Sequence, residues 1–447
     1  MQDKYNIKEE VADIVTEPDF QYSLFHNNGN SYKREDCLNV LSLFSGCGGM
    51  DIGFEGGFIC NKKSIPTTKD WIEKKINDNW ILLKKNKFHT IFANDILQEA
   101  FLTWTRYMKR FGYNDDIYHT ESIVDLVKAH QIDGNILPSS VDIVTGGFPC
   151  QDFSVAGKRK GFNSQMSHNG GKRMGEEASE ETRGKLYYWM KQVIDIVKPK
   201  IFIAENVKGL ISLGDIKNII QKDFASADDN NYYVFDPQIL NAGNFGVPEM
   251  RERVIFIGVK KSALNAAAKK IFDSGIIPAE YNPYPVPTHH YTIDNASLLN
   301  PVTCADIFCD LKEPENSMDL SHTNYSKAKY MGNHCQGQNE INLNGLGPTI
   351  RSEHHGNIEY RRLSEEHGGK YLEELGKGYK ERRLTPRECA LIQTFPPDYP
   401  FVYRKGYTNK LAVSTSGAYK VIGNAVPPIL AYNIAKRIEE IWPKYFE

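Results

Sequence analysis

Apolar runs of strand length recur along the first 260 residues or so, at Leu38–Phe44, Thr90–Ala93, Val141–Val144, Ile201–Ala204, Tyr232–Phe235 and Val254–Val259. Helical patterns, Lys185–Val197 among them, lie between several of these runs. This alternation leaves few folds open. Parallel strands need crossovers long enough to hold a helix, and those helices cover both faces of the sheet. The spacing predicts an α/β domain with a mostly parallel sheet. Open sheets of that kind bind ligands beyond the carboxyl ends of their strands, so the residues that follow each run are the candidates for chemistry.

The alternation stops near residue 261. Residues 262–381 are rich in Gly, Asn, His and Tyr, carry several prolines and show few periodic runs, which predicts a smaller, loop-rich unit. Helical character returns at Pro386–Thr394 and Pro428–Trp442, so 382–447 is expected to pack back onto 38–261. Residues 1–37 are polar and broken by Asn27-Asn28-Gly29-Asn30, and read as an N-terminal extension. A chain of 447 residues suits two or three compact units. No apolar stretch approaches the roughly 18 residues of a membrane helix, and the acidic N-terminus lacks the order of a signal peptide; the expectation is a cytoplasmic protein. The eight cysteines are scattered, and only Cys304 and Cys309 lie close, without a second pair to complete a zinc site. The neighbours His289-His290 and His354-His355 would face opposite ways on a strand, so no metal is assigned. With a net charge of −2, contact with nucleic acid must come from local basic patches.

Four motifs stand at the predicted strand ends. LFSGCGGMDIGF is a glycine-rich turn after a strand, where exposed amides can meet a ligand, and Asp95 in FANDILQEA can hold a ribose. The spacing is not GxGxxG, and 46 positions separate Gly49 from Asp95 (95 − 49), so a purely structural turn stays open. GGFPCQDFS fixes Cys150 behind a proline at a strand end, with Lys158, Arg159, Lys160, Arg183 and Lys185 downstream. Most free cysteines are inert small hydrophobes; this one is also placed as a nucleophile. AENVKGL sets Glu205 at the end of an apolar strand as a partly desolvated acid or a helix cap. PEMRERVIFIGV puts Arg251 and Arg253 two apart, on one face of a strand, as ligands to an oxygen or as a solvated cluster. Together, a thiolate, an acid, a guanidinium and a nucleotide-type pocket suit addition to an electron-poor ring.

In order, LFSGCGG, GGFPCQDFSVAGKRKGF, TRGKLYY, AENVKGL, NAGNFGVPEMRERVIFIGV, RRLTPRECALIQTFP and AYKVIGNAVPP resemble the motifs of the DNA cytosine-5 methyltransferases of the bacterial restriction-modification type, across most of 38–260 and 382–440. The resemblance implies a Rossmann-like methyltransferase domain over 38–261 and 382–447, with a target recognition domain at 262–381. It implies S-adenosylmethionine as methyl donor and a cytosine flipped out of duplex DNA. By it, Cys150 adds to C6 of the base, Glu205 bonds N3 and Arg253 holds O2. Phe44, Gly46, Cys47, Gly49, Asp95, Ile96, Asn424 and Ala425 become the cofactor contacts. Gln151, Ser154, Lys158, Arg159, Arg183, Arg251, Arg351 and Arg361 become DNA contacts, with Lys327, Lys329, His334, Gln336, His354, His355, Asn357 and Arg362 as further candidates in the recognition segment.

The chain departs from the family pattern in places. Ser122 stands where an aspartate often meets the adenine, Glu249 replaces a glutamine, and residues 163–182 lengthen the loop after the cysteine. The Gly, Ser and Glu content of that loop predicts a mobile lid. The family also implies a monomer and a cognate endonuclease that shares the DNA site without forming a stable complex. Methylation of tRNA by the same fold and a non-catalytic DNA-binding relative remain open, although the presence of both Cys150 and Glu205 counts against the latter. A thiol-dependent oxidoreductase with a nicotinamide or flavin is a further alternative.

Overall fold

The computed structural model describes residues 37–149, 186–212, 215–332, 334–352 and 357–447. Its strands are β1 (Leu38–Leu43), β2 (Ile59–Asn61), β3 (Ile72–Lys75), β4 (Trp80–Leu83), β5 (Phe88–Asn94), β6 (Tyr118–His119), β7 (Ile143–Gly146), β8 (Ile201–Val207), β9 (Tyr232–Val234), β10 (Gln238–Asn241), β11 (Glu252–Lys260), β12 (Tyr360–Arg362) and β13 (Arg382–Arg383). The main sheet runs β10-β11-β8-β7-β1-β5-β6, with β9 also on β11. Strands β8, β7, β1, β5 and β6 are parallel. β11 runs antiparallel to β8, β9 and β10. From β1 the chain steps outward to β5 and β6 on one side, then returns to β7 on the other. The strand order therefore reverses between β1 and β7, the place where open α/β sheets leave a crevice.

Alternation along the strands explains burial on both faces. Val40, Ile143, Ile201 and Ile203 face one apolar cluster, while Leu41, Leu43, Val144, Phe202 and Ala204 face a second. The second face is covered by the helices Ile123–Asp133 and Leu186–Val197, the latter burying Leu186, Trp189, Met190, Val193, Ile194 and Val197 at helical spacing. The first face is covered by Gly49–Glu55, Gln98–Met108 and the long C-terminal helix Pro428–Phe446. Close approach of the first and last helices requires Gly53, because a Cβ there would meet the Cβ of Ala431 at 2.4 Å. The expected return of the C-terminus to the N-terminal domain is thus made by backbone-close packing.

Strand boundaries moved, and a small sheet was added. The strand expected at Val141–Val144 spans Ile143–Gly146, two residues nearer the glycines. The wide gap between Gly49 and Asp95 is filled by the antiparallel sheet β2-β4-β3. Its polar strand Ile72–Lys75 shows no apolar alternation, which is why periodicity did not reveal it. This small sheet docks on the short helix Cys304–Phe308 through Lys63 to Asp306 (2.6 Å), and on the residues just after it through Trp80 Nε1 to Asp310 (2.7 Å). Residues from 262–381, including Phe272, Tyr284, Ile307 and Ile341, share the first apolar cluster with the sheet.

Candidate active site

Every strand end around the reversal contributes to one cavity of about 370 Å³. Ser42, Leu43 and Phe44 come from β1, Asn94 and Asp95 from β5, Gly146 to Pro149 from β7, and Glu205 to Val207 from β8. Arg253 of β11, the segment 349–352, Lys420 and residues 423–426 complete the wall.

The glycine turn is built by backbone geometry. Phe44 has φ 53° and Gly46 φ 55°, and the turn closes through Gly48 N donating to Ser45 O (2.9 Å). A Cβ on Gly46 would meet nothing within 4 Å, so the side of that residue is open space. Asp95 ties the turn to β5: it accepts from Gly46 N (3.1 Å) and Leu97 N (2.9 Å). Burial pushes its carboxyl up to about 6, against the pull of those amides and of Lys420. Beneath the turn Asp51, 1% exposed, accepts from Ser42 Oγ and Trp104 Nε1, each at 2.6 Å. It anchors the helix that begins at Gly49. Ile96 is 40% exposed at the cavity and Asn424 is exposed beside it.

Cys47 is a correction. Expected among the cofactor contacts, it lies under the turn with its thiol donating to Val421 O (3.3 Å) and its carbonyl accepting from Tyr399 Oη (2.7 Å). It is fully buried and props the turn against the helix Thr415–Asn424. Ser122 caps the helix Ile123–Asp133 by accepting from Val124 N, and lines the cavity from there.

Across the cavity Glu205, 7% exposed, pairs with Arg253 (Nε to Oε1, 2.7 Å). In the antiparallel register of β11 on β8, Glu205 lies opposite Ile255 and Arg253 opposite Val207, so the two side chains meet diagonally on one face of the sheet. The other oxygen of Glu205 faces Gly147, where a Cβ would come within 2.9 Å, so glycine keeps that approach clear. Asn206 Nδ2 donates to Phe148 O (2.9 Å) and fixes the chain leading to Pro149. Cys150 follows Pro149 and lies outside the described residues, as do Gln151, Ser154, Lys158, Arg159, Arg183, His354, His355 and the 163–182 loop.

Arg251 is a second correction. It is 0% exposed, and its guanidinium donates to Ile350 O (3.0 Å), Gly423 O (2.9 Å) and Ala425 O (2.7 Å), with Glu249 at 3.4 Å. A side chain so enclosed presents nothing to DNA; it ties together three walls of the cavity. Glu249, equally buried, accepts from Ile350 N (2.7 Å), and burial raises its carboxyl above the usual range. Arg361 and Arg362 are corrections of the same kind. Arg361 is bidentate on Glu374 and Arg362 is shared between Glu374 and Glu313, which leaves neither guanidinium to read a base. Arg351 lines the cavity and donates to Glu359 (2.6 Å). Lys327, Lys329, His334 and Gln336 are exposed. Lys420 was missed by the motif reading, although it precedes Asn424 by one helical turn and shares its face. No sequence signal marks Thr349 to Ser352 as cavity wall. Among the described residues no group of three or more His, Cys, Asp or Glu is arranged to hold a metal, and no helix is long and apolar enough to cross a membrane.

The profile of the C-5 cytosine-specific DNA methylases matches residues 38–440. The chain belongs to that family. Among relatives, the Type II methyltransferase M.BspRI of Lysinibacillus sphaericus is 30% identical, over 99% of this chain and 89% of its own. M.BsuRI of Bacillus subtilis is 29% identical over 93% of this chain and 82% of its own. The fold is shared with DNMT2 of Spodoptera frugiperda at a TM-score of 0.52 and 16% identity, over 91% of this chain and 99% of that one. The DNMT2-type methyltransferase of S. pombe gives a TM-score of 0.51 at 15% identity, over 90% and 98%. The methylase is a DNA cytosine-5-methyltransferase of restriction-modification type, built on a Rossmann-like methyltransferase fold.

Proposed function

We propose that this methylase modifies C5 of a cytosine within a short specific duplex sequence, with the base flipped into the cavity beside Glu205 and Arg253. The pairing of those two side chains against the open Gly147 to Pro149 approach carries the reading. A pyrimidine ring there has its O2 toward Arg253 and its N3 toward Glu205. The thiolate of Cys150, one residue beyond Pro149, adds to C6, and Glu205 bonded at N3 offsets the charge that the addition places on the ring. Carbon 5 is thereby made nucleophilic. After methylation, loss of the C5 proton and of the thiol from C6 restores aromaticity. Closing the site over an extruded base removes water, and that strengthens both polar contacts.

S-adenosylmethionine fits the other half of the cavity. Phe44, Gly46, Gly49 and Ile96 line it with backbone and apolar surface, with open space beside Gly46, Asp95 offers a carboxylate for ribose hydroxyls, and Asn424 and Ala425 close the far side. When bound, it supplies an electrophilic methyl group. Residues 262–381 are assigned to target recognition and 38–261 with 382–447 to catalysis, leaving 1–37 as an extension. We assign the protein to the cytoplasm as a monomer, with an endonuclease that shares its DNA site without a stable complex.

The test is a duplex carrying 5-fluorocytosine, since fluorine cannot leave as a proton does. The protein should form a covalent adduct that Cys150→Ala abolishes, and an adduct that survives this substitution refutes the mechanism. Glu205→Gln should slow methylation by about 10²- to 10⁴-fold, the usual contribution of a positioned acid. Parallel methyl incorporation into duplex DNA and tRNA decides the substrate.

A further inference from the structure

The stretch between Asp398 and Glu439 holds no acidic residue, in a chain whose net charge is −2. Within it, residues 403–411 form a hairpin. Arg404 bridges Leu411 antiparallel, Lys405 N donates to Lys410 O (2.8 Å), and Ala412 N donates to Tyr403 O (2.8 Å). Gly406 turns the tip at φ 56°. Thr408 Oγ1 donates to Lys405 O (2.7 Å), so the tip is hydrogen-bonded from within. Arg404, Lys405 and Lys410 are exposed, and among the described residues no carboxylate lies within bonding distance of any of them. Tyr407 at the tip is 95% exposed.

The hairpin is held rigidly at its base. Tyr403 Oη donates to Leu102 O (2.9 Å), Arg106 lies over the Tyr403 ring at 5.3 Å, and Val402 N donates to Ser321 Oγ (3.0 Å). Ser321 leads into the segment that carries exposed Lys327 and Lys329, and Ser326 N donates to Tyr419 Oη (3.2 Å) on the helix Thr415–Asn424. That helix starts just after the hairpin and ends at Asn424 in the cavity wall. At about 1.5 Å per residue its length is about 15 Å, the rise of four or five base pairs.

We propose that the hairpin 403–411 is a phosphate clamp on the duplex that flanks the modified cytosine, lying outside the 262–381 segment. The proposal rests on the DNA reading above. Exposed cations on an anchored hairpin, with no carboxylate among the described residues in bonding distance, fit the backbone of a duplex, whose charges are regularly spaced, and they carry no base readout. Exposed Tyr407 between them adds an apolar face and a hydroxyl for the sugar-phosphate edge.

The experiment compares the full-length protein with the triple variant Arg404→Gln, Lys405→Gln, Lys410→Gln. A charge-matched control, Lys62→Gln, Lys69→Gln, Lys74→Gln, removes three exposed cations from the region of the small β2-β4-β3 sheet. Duplex affinity is measured from about 50 to 200 mM salt. Loss of three phosphate contacts should make the log–log slope shallower by about 2.7, so the parent loses about 40-fold more affinity than the variant across that range. The loss should fall on KM for duplex, with the preferred sequence and cofactor affinity retained, and the control should keep the parent slope. A hairpin variant with the parent slope and KM, or a control that shifts equally, overturns the clamp. A parent that neither binds nor methylates duplex DNA would instead overturn the DNA reading itself.

Discussion

Replacing Arg251 by methionine keeps much of its length and removes its charge. Four contacts vanish with the guanidinium: Glu249 at 3.4 Å, Ile350 O at 3.0 Å, Gly423 O at 2.9 Å and Ala425 O at 2.7 Å. Both partners of the ion pair are 0% exposed, so Glu249 is left as a buried carboxylate without the guanidinium that pairs with it. Removing one member of such a pair costs about 3–5 kcal/mol. The expected result in urea unfolding at pH 7.5 is a loss of that size, together with weaker cofactor binding, because residues 423–425 lose their tie. The loss should depend on pH with a definite sign. Arg251 is the largest influence lowering the Glu249 carboxyl against the raising effect of burial, so without it the folded-state value climbs further above that of the unfolded chain. The folded state then binds more protons than the unfolded one, and stability falls as pH rises above the ordinary carboxylate range. The deficit of Arg251→Met should therefore grow from pH 5.5 to 7.5. Adding Glu249→Gln removes the stranded charge while an amide oxygen can still accept from Ile350 N, and the double variant should recover roughly 1–3 kcal/mol. A single variant within about 1 kcal/mol of the parent, or a double variant no more stable than the single, refutes the reasoning.

Two further outcomes follow from the described geometry. Asp95→Asn replaces one acceptor by a donor facing Gly46 N or Leu97 N, at a cost of about 1–3 kcal/mol; titration calorimetry with S-adenosylmethionine should show at least a tenfold loss of affinity, and an unchanged constant would remove Asp95 from the site. Burial pushes the Glu55 carboxyl up to about 7, even though Tyr113 Oη and Thr90 N donate to it. Its folded value lies above its unfolded one, so its share of stability, up to about 3 kcal/mol, is lost as pH rises from about 4.5 to 7. Glu55→Gln should flatten that dependence in urea titrations, and an identical pH profile would exclude the effect.

How far the sequence disclosed the site depended on how locally each residue is fixed. Asp95 and Glu205 sit at the ends of apolar runs that alternation marks, and a carboxylate at a parallel strand end opens onto the crevice whatever the distant chain does. Arg251 and Arg253 looked equivalent because spacing along a strand is all that a sequence offers there. Their fates diverge through the carbonyls of residues 423 and 425, some 170 positions later, which take one guanidinium out of reach of solvent. Cys47 sits in the cofactor motif yet faces Val421 O, again a partner remote in sequence. The same holds for Arg361 and Arg362, whose acids at 374 and 313 follow no helical or strand register. The β2-β4-β3 sheet escaped notice because Ile72–Lys75 lacks apolar alternation.

The packing of the helix Pro428–Phe446 on Gly49–Glu55, with residues 423–426 as cavity wall, sets an order of events during synthesis. Some 330 residues separate Asp95 from Ala425 (425 − 95), and ribosomes add about 5–20 residues per second. For roughly 16 to 66 s, then, each nascent chain carries its glycine turn and Asp95 without the wall that completes the pocket. A chain released before residue 425 lacks that wall, and the cell acquires modification activity only from chains translated past it.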